Sequence, residues 1–143
     1  MLVGEVMTPD PVVVAPTTTL REARSLAQRL GIRHLPVLYQ ERLTGMLTPH
    51  ELVDDANALL RAAAGFEPRG QRSGRQEVAA VMQPAYPVVG PELPVESAAR
   101  LLLVRHRSGL AVLDKRVRLV GILTTTDLLA AGMSPTEHAT AET

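Results

Sequence analysis

Cysteine and tryptophan are absent from this chain, and the aromatic residues are limited to Tyr39, Phe66 and Tyr86. Without cysteine there is no disulfide framework, thiol nucleophile or thiolate metal site, a composition that suits a reducing cytosol. So few aromatics leave the core to aliphatic side chains, and they argue against the stacking platforms on which single-stranded nucleic-acid binders lay their bases. Net charge is also missing. The 15 basic and 15 acidic residues balance to zero, so no bulk attraction draws the chain to nucleic acid or an anionic surface. Lysine is nearly missing as well, Lys115 being the only one. No apolar run approaches the roughly 18 residues that a membrane span requires. The stretch from Met1 to Val6 has an acid and no basic flank followed by a long apolar core, so no signal peptide is expected. The expectation is a soluble, cytoplasmic protein without a membrane partner.

What is present is repetition. Gly121-Ile122-Leu123-Thr124-Thr125-Thr126-Asp127-Leu128-Leu129 repeats Gly45-Met46-Leu47-Thr48-Pro49-His50-Glu51-Leu52-Val53 almost position for position. In each, a short apolar run ends at a Thr, and an acid follows three residues later. This pattern predicts a strand passing directly into a helix, with Thr as N-cap and the acid at the third helical position. The same atoms admit two uses. Thr-x-x-acid is a capping box that stabilises a helix start by about 1 kcal/mol. Free amides at the positive end of a helix also attract anions, and a hydroxyl and carboxylate beside them suit a phosphate and a ribose diol.

Around this pattern the chain reads as strand, helix, strand, strand, helix, twice. The first copy enters through Val6-Met7-Thr8-Pro9-Asp10-Pro11, extended and punctuated by proline, and Val12-Val13-Val14 reads as a short buried strand. Thr19-Leu20-Arg21-Glu22 is a capping box leading a helix with Leu20, Ala23, Leu26, Ala27 and Leu30 on one face, ended by Gly31. Leu35 to Tyr39 and Arg42 to Leu47 form a hairpin turning at Gln40-Glu41, Pro36 favouring an edge or irregular position. A second helix starts at Pro49 with Leu52, Val53, Ala56, Leu59 and Leu60 apolar. In the second copy, Val81-Met82-Gln83-Pro84 matches Val6-Met7-Thr8-Pro9, and Val88-Val89-Gly90-Pro91 matches Val13-Val14-Ala15-Pro16. A helix then carries Val95, Ala98, Leu101, Leu102 and Val104. Leu110 to Asp114 and Val117 to Leu123 make the hairpin, and a final helix runs from Thr125 to near Gly132.

The expected division is 1–62 for the first repeat, 63–77 for a Gly/Arg-rich linker, 78–132 for the second repeat and 133–143 for a flexible tail. Arg69, Arg72 and Arg75 of the linker read first as a solvated loop; contact with an acidic partner or with nucleotide phosphates is the alternative, and nucleic acid a distant third. A copy of about 50 to 60 residues buries too little apolar surface to be comfortably stable alone, and Leu101-Leu102-Leu103-Val104 points apolar groups in several directions. The two copies are therefore expected to pack on each other about a pseudo-two-fold axis.

The order and repetition of these motifs resemble a tandem pair of cystathionine-beta-synthase (CBS) domains, the Bateman module. The resemblance rests on Val6-Met7-Thr8-Pro9, Gly31-Ile32-Arg33-His34-Leu35-Pro36-Val37, Gly45-Met46-Leu47-Thr48-x-x-Glu51, Val81-Met82-Gln83-Pro84 and Gly121-Ile122-Leu123-Thr124-x-x-Asp127. It implies an α/β (α+β) fold of two repeats and a non-catalytic regulatory module. Such a module binds AMP, ADP, ATP or S-adenosylmethionine between the repeats and signals to a separate protein; no cofactor is required. The alternative is an assembly module that kept the fold and lost the ligand. Carried over, Asp127 takes the ribose beside Thr124 and Thr126, with Thr8, Val12, Ile32, Arg33 and His34 completing the first cleft. Arg33 is the expected phosphate contact, its guanidinium fork matching phosphate oxygens.

A second, weaker cleft would use Thr48, His50, Glu51, Gln83, Tyr86, Arg107 and Ser108. It departs from the family pattern, with Glu51 in place of Asp and Gln83 in place of Thr. Tyr86 either covers a base or fills core. No catalytic constellation is apparent. His34, His50, His106 and His138 lack the spacing of a metal site, Ser97 and Ser108 lack a nucleophile elbow, and the adjacent Asp54 and Asp55 face different ways on a helix. The surplus aliphatic helix faces and the family resemblance predict a homodimer. Light scattering should return twice the chain mass, and a clean monomer mass would refute the expectation.

Overall fold

The segment that leads into each repeat supplies the first turn of backbone pairing, and the fold follows from where those leaders attach. The structure, a computed structural model, describes residues 1–52 and 74–133. The expected continuation of the second helix through Val53, Ala56, Leu59 and Leu60, most of the linker, and the tail from Ser134 lie outside the described residues. The chain divides into two compact units. One comprises Met1–Val12, Gln40–Leu43 and Ala85–Thr143, the other Val13–Tyr39 and Thr44–Pro84. Each unit thus joins the body of one repeat to the leader of the other.

In the first unit the leader forms α1 (Val3–Val6) and β1 (Thr8–Pro9). The short helix α1 was not apparent from the sequence pattern. A four-stranded sheet has the order β1-β6-β5-β4, built from β4 (Val88–Val89), β5 (Gly109–Leu113) and β6 (Leu119–Thr124). β6 pairs antiparallel with both β1 and β5, and β4 pairs parallel with β5. Leu110 lies directly opposite Leu123. Together with Val112 they pack against Val95, Ala98, Ala99 and Leu102 of α5 (Val95–Arg105), Leu128 of α6 (Thr125–Ala130) and Val3 of the leader. Fully buried leucines such as Leu110 and Leu123 contribute about 1.5 to 3 kcal/mol each. Val104, expected on the apolar face of α5, is exposed.

The second unit repeats this plan. Its leader forms α4 (Val78–Val81), and its body contains α2 (Leu20–Leu30), β2 (Leu35–Tyr39), β3 (Arg42–Leu47) and the start of a helix, α3 (Pro49–Leu52). Leu20, Ala23 and Ala27 of α2 pack with Leu35, Val37, Leu47, Leu52, Val78 and Val81, whereas Leu30 at the end of the stripe is half exposed, at 50%. The Thr19/Glu22 capping box forms as expected. Gly31 terminates α2 at φ 66°, a left-handed conformation that carries little penalty without a Cβ. Of Val12-Val13-Val14, only Val14 is buried, and it makes an isolated parallel bridge to Val37. Pro36 sits where its carbonyl accepts from Val14 N–H at 3.0 Å. Its missing donor would point to the same side, where the neighbour is a single bridge rather than a strand, so no ladder bond is lost.

The two leaders attach in the same way. Val3 N–H donates to Leu93 O (2.9 Å), as Val78 N–H does to Thr18 O (2.7 Å). Gly4 N–H donates to Pro91 O (2.8 Å), as Ala79 N–H does to Pro16 O (3.0 Å). In return, the first N–H of α5 at Val95 reaches Met1 O (2.9 Å), and that of α2 at Leu20 reaches Gln76 O (2.8 Å). These bonds satisfy helix donors that have no partner within the helix. They also tie down Gly74 to Glu77, the part of the linker that is described, since Arg21 N–H donates to Gly74 O at 3.0 Å.

Gly121 of β6 faces Pro9 across the β1 pairing. A Cβ there would meet Thr8 O at 2.9 Å and press on Met7 Sδ. The methionine tip can move, but the backbone oxygen belongs to the ladder itself. Gly121→Ala should therefore destabilise by about 1 to 3 kcal/mol, the usual cost of overpacking, measurable as a lowered urea midpoint at unchanged slope. A stability equal to that of the unmodified protein would show that the leader can shift freely.

Candidate ligand-binding site

In the first unit β6 runs without a loop into α6, and Thr124 at the junction keeps an extended backbone (φ −118°, ψ 165°). Its Oγ1 accepts from Asp127 N–H at 3.2 Å. Asp127 Oδ2 accepts from Thr124 N–H at 2.8 Å and from the Thr124 hydroxyl at 3.1 Å. The capping box read from the sequence is therefore present. The leader adds a third arm. Thr8 lies opposite Ile122, and side chains two apart on a strand share a face, so Thr8 stands on the same face as Thr124. From there its hydroxyl donates to Asp127 Oδ1 at 2.8 Å.

An ionised carboxylate offers about four lone-pair positions, and these three bonds leave Oδ1 able to accept another. Asp127 is half-buried and Thr8 is exposed, so this oxygen lies where a polar ligand can compete with a rotatable hydroxyl. Thr126 is exposed on the first turn of α6, and Val12 is exposed, at 41%, beyond β1. Thr125 N–H donates to Ser108 O at 3.0 Å, fixing the start of α6 to the segment preceding β5.

The second unit holds the equivalent group in a different state. Gln83 pairs with Met46 through two backbone bonds of 2.9 and 3.0 Å, as Thr8 pairs with Ile122. Glu51 Oε1 accepts from Thr48 N–H at 2.8 Å and from the Thr48 hydroxyl at 3.0 Å. Gln83 Nε2 lies 3.4 Å from Oε1, 3.2 Å from Oε2 and 3.1 Å from Thr48 Oγ1. Glu51 is 1% exposed and Thr48 6%. Arg24 Nε also donates to the Glu51 main-chain carbonyl at 3.0 Å. His50 is exposed, its N–H donating to Thr48 Oγ1 at 3.3 Å.

The remaining sequence-assigned residues divide between the units. Ile32, Arg33 and His34 follow α2 in the second unit. Ile32 packs against the core of that unit, Arg33 is exposed and His34 is buried. Tyr86, Arg107 and Ser108 belong to the first unit, and Thr48, His50, Glu51 and Gln83 to the second. Tyr86 is packed in the first unit. It is 6% exposed, its hydroxyl donates to Gly109 O at 2.8 Å, and the Arg107 guanidinium lies 5.3 Å from its ring centroid, within cation–π range. His106 takes the left-handed C-cap of α5 at φ 52°, the position Gly31 holds in α2. Among the described residues no cluster of His, Asp and Glu forms a potential metal site, and no helix is long and apolar enough to cross a membrane.

Two contacts were not apparent from the sequence, Thr8 to Asp127 and Gln83 to Glu51. The signal was present in the repeat, because Thr8 and Gln83 are equivalent positions, as are Asp127 and Glu51. What was missing was the strand pairing that brings each leader residue onto the acid.

Comparison with known proteins agrees with this organisation. The CBS domain family model matches residues 3–57 and 78–134. The CBS domain-containing protein YhcV of Bacillus subtilis is 31% identical over 132 residues, which cover 92% of this chain and 86% of that protein. Inosine-5'-monophosphate dehydrogenase of Mycobacterium tuberculosis is 30% identical over 131 residues, but these are only 22% of that enzyme. Among solved structures, CBSX2 in complex with AMP aligns with a TM-score of 0.73 at 30% identity, over 92% of this chain and 95% of that one.

The two threonines around Asp127 should separate in a stability measurement. Thr124→Ala removes the N-cap and should cost about 0.5 to 2 kcal/mol. Thr8→Ala removes an exposed donor and should stay within about 0.5 kcal/mol. Urea unfolding of both variants checks this, and an equal loss in each would mean that the Thr8 bond is a structural tie.

Proposed function

The chain belongs to the CBS domain family, and from that premise we propose that it is a regulatory module that binds an adenosyl ligand through Asp127 and signals to a partner protein. The observation carrying this reading is the half-buried Asp127 carboxylate, oriented by Thr124 through Oδ2 and bonded at Oδ1 by the single hydroxyl of the exposed Thr8. Two adjacent ribose hydroxyls are donors, and a carboxylate is an acceptor that takes both. Hydrogen bonds to a charged group contribute about 1.5 to 3 kcal/mol each, enough for several of them to hold a nucleoside. Thr126 on the first turn of α6 adds a hydroxyl for the phosphate. The AMP complex of CBSX2, 30% identical to this chain, supports AMP as the first ligand to test.

A binding role is favoured over a catalytic one. The match to a dehydrogenase is confined to about a fifth of that enzyme's length, and the polar groups around Asp127 are hydroxyls and a carboxylate already bonded to one another. Regulation then requires that the ligand bind one conformation of the module better than another, since only that difference in affinity can shift an equilibrium.

Thermal shift assays with AMP, ATP and S-adenosylmethionine test the proposal. A ligand at 100 times its Kd adds about 2.7 kcal/mol of stability and should raise the melting temperature. Asp127→Asn, which retains an acceptor for the cap but loses the charge, should weaken AMP at least about tenfold, or 1.4 kcal/mol. No shift with any of the three ligands would leave the ligand-free assembly module as the better reading.

A further inference from the structure

We infer that this chain takes one adenosyl ligand rather than two, because Gln83 and Glu51 have turned the second of its equivalent carboxylates into an internal lock. The inference rests on the reading of Asp127 as the ribose-binding carboxylate and extends it to the site's counterpart.

The equivalence comes from strand register. Thr8 pairs opposite Ile122, two residues before the N-cap Thr124. Gln83 pairs opposite Met46, two residues before Thr48. Each leader residue thus stands over the acid three positions after its threonine, and the two differ in what they offer it. Thr8 supplies one hydroxyl to one oxygen, at 2.8 Å, and is exposed. Gln83 supplies an amide with two hydrogens that lies 3.4 and 3.2 Å from the two oxygens of Glu51 and 3.1 Å from Thr48 Oγ1.

Both carboxylate oxygens of Glu51 are engaged, and the residue is 1% exposed, whereas Asp127 is half-buried. A ribose diol arriving at Glu51 would have to displace a primary amide that is held by a charge-assisted bond. It would leave that amide without the acceptor it uses here, and it would gain only bonds of the same kind. At Asp127 the diol displaces a single solvent-accessible hydroxyl, which water can satisfy. The two substitutions act together. The longer acid reaches back to Thr48 while presenting both oxygens to the leader, and the longer amide spans them. Glu51 and Gln83 are accordingly specificity-determining residues that set stoichiometry.

Isothermal titration with AMP reads this directly. The unmodified protein should bind one AMP per chain, and Asp127→Asn should weaken that binding at least about tenfold and leave no site of the unmodified affinity, because no second carboxylate is available. The double variant Gln83→Thr/Glu51→Asp should bind two per chain, and adding Asp127→Asn to it should return the count to one. Two AMP per unmodified chain, or one AMP bound by Asp127→Asn at the unmodified affinity, would overturn the inference, as would a natively folded double variant that still binds one. That last outcome leaves the Asp127 reading intact. If the unmodified chain binds none and the double variant binds one, the lock stands and the Asp127 reading fails. No binding by either overturns both. Should the double variant not fold, as judged by circular dichroism, Asp127→Asn alone decides.

Discussion

The attachment of each leader segment to the body of the other repeat is the constraint on which the rest of the structure depends. A repeat body on its own has a helix whose first N–H groups lack acceptors and a sheet lacking the strand beside its glycine. The leader supplies both. Met1 O and Gln76 O take the first donors of α5 and α2, and the backbones of Thr8 and Gln83 approach Gly121 and Gly45. Glycine is needed at these positions because the leader backbone comes within 3.0 Å of where a Cβ would stand. Neither repeat is therefore complete as a contiguous stretch of sequence, consistent with the small apolar surface that so short a copy buries.

The same attachment gives the capping acids their second role. A Thr-x-x-acid box closes on itself by local geometry and is satisfied within four residues. Only when a leader residue is laid across it does the acid gain a third donor, and that donor differs between the two copies. With Thr8 the Asp127 carboxylate remains partly accessible. With Gln83 the Glu51 carboxylate is enclosed and fully employed. Two copies of one motif thus diverge in accessibility while preserving the same backbone pairing.

This arrangement suits the ligand-responsive role proposed for the module. A carboxylate held by backbone N–H and a cap hydroxyl is oriented before any ligand arrives, so little ordering is required on binding. A site anchored on a strand end and a helix start also couples ligand contacts to the elements that carry the core, since Leu123 precedes Thr124 and Leu128 follows Asp127, and both are fully buried.

The local elements were legible in the sequence because they are governed by interactions between near neighbours. The hairpin strands Leu35–Tyr39 and Arg42–Leu47, the α2 cap at Thr19, its stop at Gly31 and the Thr124/Asp127 box all appear where the pattern of residues placed them. The repeat itself was visible by simple comparison. What only the tertiary structure decided is long-range: the exchange of leaders, the exposure of Val12, Val13 and Val104, the burial of Tyr86 against Gly109, and the meeting of Thr8 with Asp127, 119 positions apart in sequence. Periodicity and capping report on bonds that close within one turn or one hairpin. Which distant strand completes a sheet edge depends on the shapes and unsatisfied donors left after those local bonds have formed, and no single stretch of residues encodes that.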